Sequence, residues 1–157
     1  MPILDECRAA HAGCNPSCVA SRCRRGKCTL ALGKLALCVD CDRCKSFAGD
    51  QPKPDFVILE AAGVGREARW IVVEIKTQIS DVTQIVRQLQ AGARTIQTDA
   101  RFTVQPQPLR LVPVVVREKG RIHSADVELL RSTRISFGGV QRQILTKPCG
   151  TRLADIA

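Results

Sequence analysis

The feature that most constrains this chain is the pattern of residues 54–90, PDFVILEAAGVGREARWIVVEIKTQISDVTQIVRQLQ. Two β-rich apolar runs, 56–59 and 70–76, flank a glycine-containing segment with Val64 and Gly65, and this order predicts a hairpin. Val82, Ile85, Val86, Leu89, Ala93 and Ile96 then recur at helical spacing, which predicts a helix with one buried stripe. Ser80 is its expected N-cap, and Asp81 suits the positive end of the helix dipole. Residues 109–116, LRLVPVVV, are continuous enough for a central strand buried on both faces. Pro113 inside them lacks a ladder donor and predicts a bulge or an edge. Ser124 is expected to cap a short helix over 125–131, and a hairpin follows over 135–146 around Gly138 and Gly139. His123 stands alone in a loop and takes no role.

Strand alternation puts Glu74 and Lys76 on one side, roughly 7 Å apart by strand rise, and Ile75 on the other. If Asp55 heads the neighbouring strand, its carboxylate falls beside Glu74. Two carboxylates held together raise one another's pKa unless a cation joins them. A hard divalent ion such as Mg²⁺, or Mn²⁺ in its place, suits such oxygen ligands together with phosphate oxygens. Lys76 beside that ion would stabilise charge on an attacked phosphate or orient a water. The arrangement suits metal-assisted phosphodiester hydrolysis. The bland alternative is a half-exposed strand with opposite charges on one face, preceded by an ordinary Pro-Asp loop.

Pro54-Asp55, eighteen intervening residues and Glu74-Ile75-Lys76 resemble the motif of the PD-(D/E)xK nuclease superfamily, and the resemblance covers roughly residues 54–117. It implies a restriction-endonuclease-like α/β fold, a mixed sheet with flanking helices. It also implies that Asp55 and Glu74 bind metal, that the Ile75 carbonyl completes the site and that Lys76 is the catalytic lysine. Some branches carry a glutamine on the following helix, which would be Gln84 or Gln88. One branch has tyrosine four residues after that glutamine; here Gln88 stands there, and the chain has no tyrosine. On a helical wheel both glutamines, and Arg87, lie away from the apolar stripe, facing either solvent or a bound nucleic acid.

A length of 157 residues allows one domain with a proper core, or a smaller domain with an appendage. A net charge of +9 favours a polyanionic partner, DNA ahead of RNA. An aromatic content of 3% argues against single-strand binding on a platform of stacked rings. No run approaches the ~18 apolar residues of a membrane helix. The opening MPILDECRAAH has two early acids and no apolar stretch, so a cytoplasmic protein without a signal peptide is expected.

Eight of the nine cysteines lie between Cys7 and Cys44, and Cys149 stands near the end. In a reducing compartment, short-spaced cysteines are better explained as metal ligands than as disulfides. Two groupings compete. Cys23, Cys28, Cys38 and Cys41 form a four-thiolate zinc pattern, leaving Cys7, Cys14, Cys18 and Cys44 for a second site, with His11 as a further ligand or an exposed helical residue. Alternatively, Cys38, Cys41 and Cys44 match three ligands of a ferredoxin-type 4Fe–4S cluster, with Cys149 as the fourth. Arg22, Arg24, Arg25 and Lys27 sit among these cysteines, as phosphate contacts or as a solvated loop.

The expected organisation is a cysteine-rich metal module over 1–49, with residues 46–53 as linker, and a nuclease-like domain over 50–157. The expected function is metal-dependent cleavage of nucleic acid, as a homodimer or within a larger complex. A catalytically idle DNA-binding subunit of the same fold is the alternative. A secreted disulfide-rich toxin is a further rival, for which no export signal is found.

Overall fold

The computed structural model describes residues 2–14, 17–77, 79, 81–118 and 124–157. The expected helix cap Ser80 and the loop residue His123 lie outside the described residues. A first helix, α1 (Pro2–Ala10), leads into four short strands: β1 (Val19–Ala20), β2 (Cys23–Arg25), β3 (Cys28–Leu30) and β4 (Ala36–Asp40). The central hairpin follows as β5 (Phe56–Glu60) and β6 (Arg69–Lys76), and then the long helix α2 (Val82–Thr98). The chain ends with β7 (Arg110–Arg117), α3 (Ser124–Ser132), β8 (Arg134–Phe137), β9 (Val140–Gln143) and β10 (Leu145–Pro148).

The fold is mixed α/β. Six strands form one mixed sheet in the order β1-β4-β5-β6-β7-β10. The β1–β4, β4–β5 and β5–β6 pairs are antiparallel, whereas β6–β7 and β7–β10 are parallel. Parallel pairing of β6 with β7 needs a crossover, and α2 supplies it. Two two-stranded sheets, β2–β3 and β8–β9, stand beside the main one.

Alternation along the strands sorts the core into two layers. Leu37, Val39, Val57, Leu59, Trp70 and Val72 share one buried cluster with Ile85, Leu89 and Ala93 of α2. Cys38, Phe56, Ile58, Ile71 and Val73 share the other with Leu30 of the small hairpin and with Leu153 and Ile156 near the C-terminus. The helical stripe is as expected, except that Val86 is only half-buried. Asp81 is the observed N-cap, its Oδ1 accepting from the Gln84 N–H at 3.1 Å.

Two expectations are corrected. The boundary at residue 50 does not divide two separate units, because β4 and β5 pair across it from Ala36↔Glu60 to Asp40↔Phe56. The cysteine-rich segment had too little apolar periodicity to announce strands, yet two of its strands belong to the main sheet. Pro113 lies at a local edge, as expected, although β7 runs between β6 and β10. It is tolerated because the β10 ladder begins one residue later, at Val114. The last hairpin is also shorter than expected, since the chain leaves β9 at Gln143 and re-enters the main sheet as β10. Its two-residue turn has Gly138 and Gly139 at φ 59° and 75°, the left-handed values that a type I′ turn requires.

Candidate functional site

Asp55 sits immediately ahead of β5, and its N–H continues the ladder to the Val73 carbonyl at 3.0 Å. Its Oδ2 accepts the Ile75 N–H at 2.7 Å, which locks the carboxylate against the end of β6. Glu74 is on β6, in phase with Trp70 and Val72 and hence on the α2 face, and is 1% exposed. Burial pushes its carboxyl up to about 9, and the hydrogen-bonding contact and charge of Asp55 add to the rise, while Lys76 opposes it. Lys76 Nζ lies 3.4 Å from Glu74 Oε2, within ion-pair range, and the ammonium is half-exposed. Among the described residues, Oε2 itself is buried without a hydrogen-bond partner. At neutral pH, therefore, Glu74 holds a proton unless a cation takes its place.

Helix α2 sets this geometry through Gly92. A Cβ there would lie 2.7 Å from Val72 Cγ1 and 2.9 Å from Pro54 Cγ, so only glycine lets the helix rest on the strand end that carries Asp55. Gln90 clamps the other side of α2: its amide donates to the Ser136 carbonyl and accepts the Ser136 N–H, both at 2.9 Å.

Arg25 is expected either to contact phosphate or to lie in a solvated loop. Instead its guanidinium lies among carboxylates: Nη2 donates to Asp40 Oδ1 at 2.9 Å and to Asp42 Oδ2 at 3.1 Å, and Nε donates to Asp55 Oδ1 at 3.2 Å. It also stacks on Phe56, 4.2 Å from the ring centroid. The reason is local: the hairpin places Arg25 on the same face as Cys23 and Cys28, turned towards the sheet. Arg22, Arg24 and Lys27 are exposed. Arg22, Arg24 and Arg43 line, with Arg25, Asp40 and Phe56, a groove of about 390 Å³, from which Arg25 reaches Asp55. Arg87 is exposed on α2. Gln84 and Gln88 are half-buried rather than solvent-facing, and Gln88 Oε1 is buried without a partner. Among the described residues, no hydrogen bond joins either side chain to Asp55, Glu74 or Lys76.

The cysteines separate by sheet face. Cys38 points into the layer that holds Cys23, Cys28 and Cys149, whereas Cys41 and Cys44 join Cys7, Cys14 and Cys18 in the other. Neither the ferredoxin-type trio Cys38, Cys41 and Cys44 nor the set ending in Cys41 is therefore assembled. The turn after β4 carries the chain from one face of the sheet to the other, which spacing alone did not reveal. Cys28 and Cys149 are joined as a disulfide, and the other seven cysteines are free and buried.

His11, Cys18 and Cys44 bring their ligand atoms within 4.8 Å of one another, all buried. His11 is 1% exposed, and burial holds its imidazole below the ordinary pKa and hence neutral. Its Nδ1 donates to the Cys7 carbonyl at 2.9 Å, which leaves the Nε2 lone pair free, and among the described residues Nε2 is buried with no partner. A backbone acceptor on one ring nitrogen is the usual way a metal-binding histidine is oriented. Cys18 makes thiol contacts with both Cys14 and Cys44, so Cys14 stands where a fourth ligand is needed. This group could hold a metal ion, and its donor set suits zinc. Cys7 is not part of this group; its sulfur faces the committed Nδ1 at 3.8 Å.

Sequence reasoning missed Asp40, Gln90 and Gly92. Asp40 lay in a stretch read as metal-bound loop, and Gly92 and Gln90 lay in a helix read for its apolar stripe. Comparison with protein-family models, with curated proteins and with solved structures finds no match to this chain. Among the described residues, no helix is long and apolar enough to cross a membrane.

Proposed function

We propose that this chain is a metal-dependent nuclease of PD-(D/E)xK type that hydrolyses phosphodiester bonds in nucleic acid, DNA ahead of RNA. The carrying observation is the paired carboxyl groups of Asp55 and Glu74 at adjacent strand ends, with Lys76 Nζ 3.4 Å from Glu74. The antiparallel β5–β6 pair, the α2 crossover and the parallel β7 suit the restriction-endonuclease-like core that the motif implies. Asp55 and Glu74 would hold Mg²⁺ or Mn²⁺, a role that fits the buried Glu74 Oε2, which has the Lys76 ammonium nearby but, among the described residues, no hydrogen-bond partner, with the Ile75 carbonyl as a further oxygen. The ion supplies Lewis-acid polarisation of a phosphate oxygen and a more acidic water. Glu74 gives up its proton when the ion is taken. Lys76 stabilises charge on the attacked phosphate, and Ile75 N–H holds Asp55 in place. Arg22, Arg24 and Arg43 beside the site would track the backbone phosphates of the substrate. Gln84, Gln88 and Arg87 would extend that contact along α2.

The second reading, an idle nuclease-fold DNA-binding subunit, is favoured by Arg25, which occupies the Asp55 oxygen that a metal would need. The deciding experiment is incubation of the purified protein with plasmid, linear duplex and single strands, with and without Mg²⁺ or Mn²⁺. Divalent-dependent cutting of any of these is the expected result. Binding without cutting under every condition favours the second reading.

A further inference from the structure

Beyond the acidic pair and the His11 group, four sulfurs on the opposite sheet face remain without a role. Cys23 and Cys28 flank the hairpin turn at Gly26, which takes the left-handed φ of 58°. The register pairs Cys23 with Leu30 and Arg25 with Cys28, so both cysteines project from one face as diagonal neighbours. Cys38 comes from β4 of the main sheet, and its thiol touches that of Cys23. Cys149 comes from the far end of the chain, 121 positions from Cys28, and its sulfur meets that of Cys28. Cys23, Cys28 and Cys38 are 2% exposed or less, and Cys149 packs against the same cluster.

We propose that Cys23, Cys28, Cys38 and Cys149 form a second metal centre, a four-thiolate zinc site that staples the C-terminal segment to the small hairpin and to the main sheet. Four elements converge on these sulfurs, and the backbone around them is already tied. Gly150 N–H donates to the Thr29 carbonyl at 2.7 Å, Ala31 N–H to the Thr151 carbonyl at 2.9 Å, and Cys149 N–H to the Arg117 carbonyl at 2.8 Å. Strands of three residues, as β2 and β3 are, cannot hold themselves in water without such a staple. Arg25, on the same hairpin face, places positive charge against a site that would carry excess negative charge.

Tetrahedral zinc, with zinc–sulfur bonds of about 2.3 Å, gathers four sulfurs roughly 3.8 Å apart, which suits cysteines packed in one small buried cluster, whereas a 4Fe–4S cube would need them farther apart. The Cys28–Cys149 disulfide is the metal-free, oxidised form of the same site. A dithiol reductant supplies two electrons and two protons to convert that disulfide into two thiols, itself becoming a disulfide. One Zn²⁺ then displaces the four thiol protons.

The test counts zinc in the full-length protein by native mass spectrometry and elemental analysis. Protein purified under a dithiol reductant with zinc present should carry two ions per chain. Air-oxidised protein with the Cys28–Cys149 bond intact should carry one. Cys149→Ser and Cys23→Ser should each carry one under reductant, and His11→Ala combined with Cys149→Ser should carry none. The second ion should also release as the disulfide re-forms. A reduced wild-type chain holding no more zinc than the oxidised one overturns the proposal without reference to any variant. So does a Cys149→Ser chain that keeps both ions.

Discussion

Glu74 is the residue at which folding and chemistry conflict most directly. Its carboxyl ionises near its ordinary value in the unfolded chain but only near about 9 in the fold, where burial and Asp55 favour the proton. The unfolded state thus binds fewer protons between these values, and stability falls as pH rises. Without added divalent ion, the denaturation midpoint should decline from about pH 4.5 to about 9, and Glu74→Gln should flatten that decline. Added Mg²⁺ should restore stability at the alkaline end and release a proton on binding. A Glu74→Gln protein with an unchanged slope would place the titration elsewhere. Arg24 and Arg25 should separate in the same way. Arg24 is exposed, and among the described residues its side chain bonds only the nearby Gly26 carbonyl, at 2.6 Å. Arg24→Ala should therefore weaken nucleic-acid binding in a salt-dependent manner and leave the cleavage step alone. Arg25→Ala should alter cleavage as well, because it frees Asp55. Equal effects of the two substitutions on single-turnover rates would contradict this division.

At the scale of elements, the contact that matters is α2 on the β5–β6 hairpin. Gly92 lets the helix approach Val72 and Pro54 more closely than any side chain permits. Gly92→Ala should destabilise by ~1–3 kcal/mol through overpacking, despite the better helix propensity of alanine. Denaturant titration measures this, and a neutral or stabilising result would show that the helix shifts freely. The hairpin, the helix and the parallel β7 were legible because their apolar periods are long and regular. The acids and Lys76 were legible because strand alternation fixes which side chains share a face. The strands of the N-terminal segment were not legible, since Val19–Ala20 and Cys28–Leu30 are too short to show a period. The partition of cysteines was hidden for a related reason. Cys38 and Cys41 are three apart, yet the first sits in a strand and the second beyond its end, so linear spacing could not place them on opposite faces. The role of Arg25 was equally invisible, because its partners Asp40 and Asp55 are 15 and 30 positions away.

For the whole molecule, continuity of the sheet across residue 50 changes what metal loss should do. β1 and β4 belong to the sheet that carries Asp55 and Glu74, so the cysteine-rich segment is not a detachable appendage. Removing metal from the His11 group should lower the stability of the entire fold in one cooperative transition, with exchange protection lost in β5 and β6 as well as in α1. Hydrogen exchange confined to residues before Asp50 would argue instead for a separable module. Arg25 links the basic groove of Arg22, Arg24 and Arg43 to Asp55 of the acid pair. The most direct test is the single-turnover cleavage rate of DNA in Mg²⁺ for wild type, Glu74→Ala and Lys76→Ala, with DNA affinity measured at the same salt concentration. Both substitutions should cut the rate by at least ~100-fold, since each removes a group acting on charge that develops in the transition state, while affinity stays near that of wild type. A wild-type protein that binds DNA but shows no cleavage dependent on Glu74 and Lys76 would contradict the enzyme reading and leave a binding subunit in its place.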